Sequence, residues 1–326
     1  MFDRICRELR LGKLLEAPVR LSGGYTHRMF ALTTDRGRYA VKLLNPEIMQ
    51  RPDALDNYRA AEAFEALLEE RGLPILPARR IDGRKMHCVD GQYLYVFDYF
   101  DGHALKDAET TPAHCRQMGA ALARIHAVRP LAAPQQDDAA PIGATIWDEL
   151  ARALLSAPDA QAEGEALRAA APMLTRVAAA MDAAVRALPP ALALCHNDMD
   201  AKNVLWRGDR FRIIDLECLG YADPRQELLD LAISWAGWPA DEANFKAFVA
   251  GYDAAGGARI ADAALLFDSR RNHIDWLIYN ARRALVDDPQ ERRTGRGQVL
   301  ETIEKIESDQ NMRSTILRWM EAVYHG

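Results

Sequence analysis

The run LALCHNDMDAKNVLWRGDRFRIIDLE, from Leu192 to Glu217, constrains this chain more than any other stretch. An apolar, strand-like segment (Leu192 to Cys195) passes into the polar loop HNDMDAKN. A second apolar run follows at Val204, Leu205 and Trp206, then a turn at Arg207-Gly208-Asp209. Phe211, Ile213 and Ile214 make a third, which stops at once on two carboxylates, Asp215 and Glu217. Apolar runs bounded by turn residues read as short strands, here a hairpin framing a loop. Strands fix the acids at their ends more tightly than free loops could.

His196, Asp198 and Asn203 have the spacing of the kinase catalytic loop H-x-D-x-x-x-x-N, and Asp215 ends the next strand, where kinases place a metal-binding Asp. Phosphoryl transfer needs little covalent help. It needs an acceptor hydroxyl aimed in line, a group to take its proton, and divalent cations between the phosphate oxygens. Asp198 suits the base, Asn203 and Asp215 are hard oxygen ligands, and His196 orients the loop through hydrogen bonds. Asp and Asn also populate ordinary polar turns; the second acidic cluster just downstream counts against that reading.

At 326 residues the chain exceeds the size at which one core stops growing, so two lobes are expected. An apolar fraction of 49% and a charged fraction of 27% fit a soluble globular protein. A net charge of −6 argues against a general nucleic-acid binder. No stretch approaches the ~20 apolar residues of a membrane span, and MFDRICRELRLGKLL reads as an amphipathic helix rather than a signal peptide. Five scattered cysteines without a C-x-x-C pair fit a reducing cytoplasm. Cys195, among leucines, reads as a buried and inert thiol.

Earlier in the chain, Ser22-Gly23-Gly24 is a turn whose backbone N–H groups suit phosphate. It leads into strands at about Arg28 to Thr33 and Tyr39 to Leu44, the second carrying Lys42 in an A-V-K-L run. A lysine pointing inward from an apolar strand needs a partner. Asp53 to Arg71 is a helix ended by Gly72 and Pro74, and of its central acids Glu62 is favoured over Glu65 to reach Lys42. Asp82-Gly83 and Asp90-Gly91 mark hairpins. Asp98-Tyr99-Phe100-Asp101-Gly102 form a connector whose exposed backbone groups could read an adenine ring, with Asp98 and Phe100 the candidate positions there. Thr111 caps a helix with Pro112 at its first position. Glu163 to Leu188 is an Ala-rich scaffold helix. A helix from Arg225 carries Asp230, which is expected to brace the catalytic loop. The last third reads as helices over Asp241 to Tyr252, Asp262 to Val286 and Gln298 to Tyr324, with DDPQERRTGRG as a linker. Trp235, Asp275, Trp276 and Tyr279 are acceptor-site candidates, although aromatics at helical spacing are more often core.

Lys42, Glu62, the D-Y-F-D-G connector, L-A-R-I-H, H-N-D-M-D-A-K-N and I-I-D-L-E occur in one order over roughly residues 20 to 236. This resembles the aminoglycoside phosphotransferase/choline kinase family of small-molecule kinases, over about two-thirds of the chain. The resemblance implies an α+β, protein-kinase-like fold. A small N-terminal lobe (1–100) would have an antiparallel sheet and one helix, and a larger, mostly helical lobe (101–326) would bind the acceptor. It implies ATP, Mg2+ and a hydroxylated small molecule. Asp198 would be the base, Asn203 and Asp215 the metal ligands, Lys42 with Glu62 the phosphate clamp, and Glu217 a supporting acid. Asn197 stands where the family usually has the glycine of H-G-D, and D-L-E stands where protein kinases have D-F-G. No activation segment separates Asp215 from Pro224, which sets a peptide-directed kinase behind a small-molecule one. A nucleotide-binding pseudokinase is the alternative from another class. Neither nucleic acid nor membrane is expected as a partner, and the protein is expected to be a monomer or homodimer.

Overall fold

The computed structural model describes residues 1–21, 27–128, 141–143 and 145–325. Ser22, Gly23 and Gly24 lie outside the described residues. The N-terminal elements run α1 (Phe2–Glu8), β1 (Val19–Arg20), β2 (Arg28–Thr34), β3 (Gly37–Leu43), α2 (Pro46–Met49), α3 (Ala54–Glu70), β4 (His87–Val89) and β5 (Gln92–Asp98). Next come β6 (His103–Ala104), α4 (Pro112–His126), α5 (Ile146–Ser156), α6 (Gln161–Ala187), β7 (Ala193–Cys195), β8 (Val204–Arg207), β9 (Arg210–Ile213) and β10 (Gly220–Ala222). The chain finishes with α7 (Pro224–Trp235), α8 (Glu242–Ala254), α9 (Ala263–Asp268), α10 (Asn272–Arg283) and α11 (Pro289–His325).

Two compact units result. One comprises Met1–Pro134, Ala193–Ala222 and Ser234–Gly257; the other comprises Gln135–Leu192, Asp223–Ile233 and Ala258–Gly326. These bounds differ from a cut at residue 100, and backbone pairing explains why. The segment after α3 is stitched to β9, with Leu76 N donating to Ile213 O and Ile213 N to Pro74 O, each at 2.8 Å. The N-terminal sheet and the catalytic hairpin therefore belong to one unit.

In that first unit an antiparallel sheet has the order β1-β2-β3-β5-β4. Asp90 and Gly91 both take positive φ in the two-residue turn between β4 and β5, the geometry that the Asp-Gly pair favours. Central β3 is buried on both faces. Tyr39, Val41 and Leu43 join α1 residues Ile5 and Leu9 in one cluster, and the alternation of side chains along a strand sends Lys42 to the other face. Helices α4 and α8 pack backbone to backbone. A Cβ on Gly119 would lie 1.9 Å from Phe248 O, and one on Gly251 2.1 Å from Arg116 O, so only glycine fits there.

The second unit is helical around Trp147, Leu154, Leu167, Leu174, Leu277 and Ile303. Two expectations change here. The helix foreseen over Asp262 to Val286 breaks into α9 and α10, because the Ser269 hydroxyl donates back to Leu266 O (2.9 Å) and competes with the helix ladder. The presumed linker DDPQERRTGRG is instead the first turns of α11. Asp288 Oδ1 accepts from Gln290 N (2.9 Å) and Glu291 N (2.8 Å), while Arg283 and Arg296 anchor the segment through Glu291 and Glu163. Among the described residues no helix is long and apolar enough to cross a membrane.

Candidate active site

The site is gathered within the first unit. Lys42 Nζ, from β3, lies 2.5 Å from Asp215 Oδ1 and 2.6 Å from Glu217 Oε2, bridging 173 positions of sequence in the first of these contacts. Burial works against the Lys42 charge, yet the two carboxylates outweigh it and raise the pKa above that of a free lysine. Burial alone would lift Glu217 as well; Lys42 and His27 reverse that and hold its carboxyl at about 2.

His27 completes this cluster and had no signal in the sequence beyond a polar residue before β2. Asn45 N donates to His27 Nδ1 at 3.0 Å, which places the ring proton on Nε2, where it faces Glu217 Oε1 at 3.0 Å. Tyr58 Oη lies 3.1 Å from the same nitrogen. Glu62, expected beside Lys42, does something else. It accepts from Met86 N (3.1 Å) and from the Tyr95 hydroxyl (3.0 Å), bracing the sheet. Glu65, one turn further on, is buried against Lys85 at 2.8 Å. Lysine 42 takes its acids from the turn after β9, which one-turn helix spacing could not reveal.

Between β7 and β8 the catalytic-type loop is held by its own side chains. Asp198 N donates to His196 Nδ1 (3.3 Å), so the opposite nitrogen carries the proton toward Ile214 O (3.2 Å). His196 is fully buried and ties the loop to Ile214 O and to Asp198 N. Asn203 Nδ2 donates to both Asp198 O and Asp198 Oδ2 at 2.8 Å. Asn197 has φ 64°, and its Nδ2 donates to Cys218 O at 2.8 Å. Asparagine is the side chain that best tolerates this left-handed geometry after glycine, which accounts for Asn197 at the usual glycine position. Asp215 is also left-handed, with φ 62°, the kind of local strain that concentrates at functional sites.

Burial, the largest influence, raises the Asp198 carboxyl above its ordinary value; Lys202 opposes the rise, and Asp200 and Asp215 add to it. A base poised in that direction is suited to take a hydroxyl proton. Since Asn203 Nδ2 is engaged by Asp198, the side-chain oxygen is the atom that Asn203 has left to offer a cation. Asp215 Oδ2 is likewise left once Oδ1 binds Lys42. This donor set is hard oxygen and fits a divalent metal of the Mg2+ type.

The α7 end braces the loop. Trp235 Nε1 donates to Met199 O at 2.9 Å, and the Ser234 hydroxyl donates to Asp200 Oδ1 at 2.7 Å. Trp235 is 1% exposed, so it is a support for the loop and not an acceptor contact. The bracing role expected of Asp230 falls to these two residues. Asp230 is bound in the second unit by Arg270 and by Asn272 Nδ2. Asp275, Trp276 and Tyr279 lie on α10 in that unit; the two rings stack 5.5 Å apart, each residue 40% exposed, and Asp275 pairs with Arg271. Asp98, at the end of β5, is exposed and meets Arg79. Phe100 follows, its carbonyl taken by Gly102 N at 2.9 Å and its ring facing Arg212.

Solved structures share the fold. Over 94% of this chain and 97% of its own, spectinomycin phosphotransferase in complex with ADP and spectinomycin superposes with a TM-score of 0.72 at 14% identity. A choline/ethanolamine kinase family protein from Mesorhizobium loti covers 100% of this chain and 99% of its own, with a TM-score of 0.62 and 19% identity. An amicoumacin kinase in complex with AMP-PNP and Ca2+ gives a TM-score of 0.62 at 13% identity, over 93% and 92% of the two chains. At these identities the likeness shows the fold, which is protein-kinase-like with an antiparallel N-terminal sheet and a mostly helical remainder. No curated protein sequence matches the chain. The model of the phosphotransferase enzyme family matches residues 19–266, a span that contains Lys42, the HNDMDAKN loop and Asp215, and the chain belongs to that family.

Proposed function

We propose that this protein transfers the γ-phosphoryl group of MgATP to a hydroxyl of a small molecule. The observation that carries the reading is the meeting of Lys42 with Asp215 and Glu217, in the same unit as a loop that presents Asp198 and Asn203. One ammonium and several oxygen donors, far apart in sequence, converge as a triphosphate requires. The acceptor oxygen attacks Pγ, its proton passes to Asp198, and the bond from Pγ to the bridging oxygen of ADP breaks. Lys42 binds phosphate oxygens, and Asn203 with Asp215 hold the cation. Bound there, a divalent cation neutralises charge on the phosphates.

The acceptor class is a hydroxylated small molecule, either an aminoglycoside or other antibiotic or an amino alcohol. The structural relatives named above support that breadth, and sequence identity below 20% does not narrow it. Thermal unfolding with ATP, with and without Mg2+, tests the nucleotide site. An ADP-coupled screen over aminoglycosides, macrolides, amino alcohols, homoserine and sugars tests transfer. Mg2+-dependent stabilisation followed by turnover on one of these classes is the expected result. Stabilisation without turnover on any of them would favour a nucleotide-binding scaffold, and an absence of Mg2+-dependent stabilisation would sink the kinase reading.

A further inference from the structure

Both oxygens of the Asp198 carboxylate are engaged. Oδ2 accepts from Asn203 Nδ2 at 2.8 Å, and Oδ1 receives the Lys202 ammonium at 2.6 Å. Asn203 is only 6% exposed and also donates to Asp198 O, so it is fixed. The Lys202 side chain is 52% exposed and rides on a flexible four-carbon stem. A hydroxyl proton bound for Asp198 thus meets an ammonium at Oδ1, and of the two donors Lys202 is the one free to move.

Its second contact says where it is tethered. Lys202 Nζ lies 3.0 Å from Asp200 Oδ2, and Asp200 Oδ1 is held by the Ser234 hydroxyl at 2.7 Å. The ammonium is therefore shared between the base and a second, anchored carboxylate. If it lets go of Asp198 it remains beside the loop.

We propose that Lys202 leaves Asp198 when a nucleoside triphosphate binds and takes up the oxygens of the γ-phosphoryl group, with Asp200 keeping the ammonium in reach. This rests on the phosphotransfer reading given above. A γ-phosphoryl group carries more negative charge than a carboxylate and offers several acceptor oxygens, so a mobile ammonium is drawn to it. The exchange does two things at once. It frees Oδ1 of Asp198 to accept the acceptor's proton, and it places a positive charge on the group in transit. A nucleoside diphosphate, lacking that group, leaves Lys202 where it is.

The discriminating measurement is binding. Calorimetric titration of AMP-PNP and of ADP, both with Mg2+, is carried out on the wild type, Lys202→Gln, Lys202→Met and Lys202→Arg. The neutral variants are expected to lose roughly tenfold or more in AMP-PNP affinity, the scale of a charge-assisted hydrogen bond, while ADP affinity stays unchanged. Lys202→Arg is expected to restore the preference for AMP-PNP. A neutral variant that weakens both nucleotides equally, or neither, overturns the assignment of Lys202. Should the wild type bind neither nucleotide, the phosphotransfer reading itself fails, an outcome separate from the failure of Lys202. Lys202 is on the surface of its loop, so the variants are expected to unfold at the wild-type temperature.

Discussion

Arg270 in the second unit and Lys42 in the first are each flanked by a pair of carboxylates, and the two arrangements differ in how far those acids are exposed. In the second unit Arg270, with a side chain 9% exposed, meets Asp230 and Asp309. Asn272 Nδ2 closes the other oxygen of Asp230 (2.8 Å), His273 Nδ1 shares Asp309 Oδ2 with Arg270 at 3.1 Å, and both acid side chains are only 18% exposed. In the first unit Lys42, with a side chain 10% exposed, meets Asp215 and Glu217. His27 closes Glu217, but the Asp215 side chain stays 32% exposed with Oδ2 unengaged, and Asp198, which feels its charge, is 30% exposed. The ingredients are alike. Deeper burial of its acids marks the first arrangement as a strut, and the more exposed edge of Asp215 marks the second as the candidate site.

The largest effect is expected where the open edge does chemistry. Asp198→Ala should keep nucleotide binding and lose on the order of 10²–10⁴ in turnover, the range for a general base; wild-type turnover on a true acceptor would remove Asp198 from that role. The comparison itself is tested by a pair of variants. Arg270→Met strands two buried acids and should cost about 3–5 kcal/mol of stability. Lys42→Met leaves acids that can turn to water or to His27, so it should cost clearly less while abolishing the binding of MgATP. Chemical denaturation read beside nucleotide titration separates them, and equal losses of stability would erase the distinction between strut and site.

The sequence carried the chemistry of the loop better than the partnerships around it. The placement of Asp198, Asn203 and Asp215 around two short strands was legible because their spacing is local. The Thr111-Pro112 start of α4 and the Asp90-Gly91 turn were legible for the same reason, since capping and turn chemistry act within a few residues. The partner of Lys42 was not. Glu62 and Glu65 are both plausible by helix spacing, and only the register of β3 against the turn after β9 sends the ammonium to Asp215 and Glu217. His27, Ser234 and Trp235 were misjudged or missed because their contacts span long stretches of chain, as with the 36 residues between Trp235 and Met199. Charged residues misled in the other direction. DDPQERRTGRG reads as a solvated linker until Glu163 is seen to hold its Arg296, and Arg283 of α10 to hold its Glu291.

The Lys42 arrangement also carries a pH dependence. Glu217 is held at about 2, below its ordinary 4.5, so the folded state binds this proton less readily than the unfolded chain. The stability it contributes is present above about pH 4.5 and is lost as the pH falls toward 2. Glu217→Gln should therefore flatten that part of the plot of thermal midpoint against pH, measured without divalent cations. The same slope in both proteins would mean that other carboxylates govern acid unfolding.

The smallest effect concerns Trp235 and Trp276, the two tryptophans among the acceptor-site candidates. Trp235→Phe keeps most of the ring volume but removes the donor to Met199 O, leaving a buried carbonyl unpaired at a cost of about 1–3 kcal/mol. Trp276, 40% exposed, should tolerate Phe within about 0.5 kcal/mol, as surface positions usually do. Because Met199 adjoins Asp198, the loss at Trp235 should lower kcat a few-fold with the acceptor KM unmoved. An increased acceptor KM with unchanged stability in Trp235→Phe would instead return that side chain to the acceptor's surroundings. The same result for Trp276→Phe, against a silent Trp235→Phe, would assign acceptor binding to Trp276 instead.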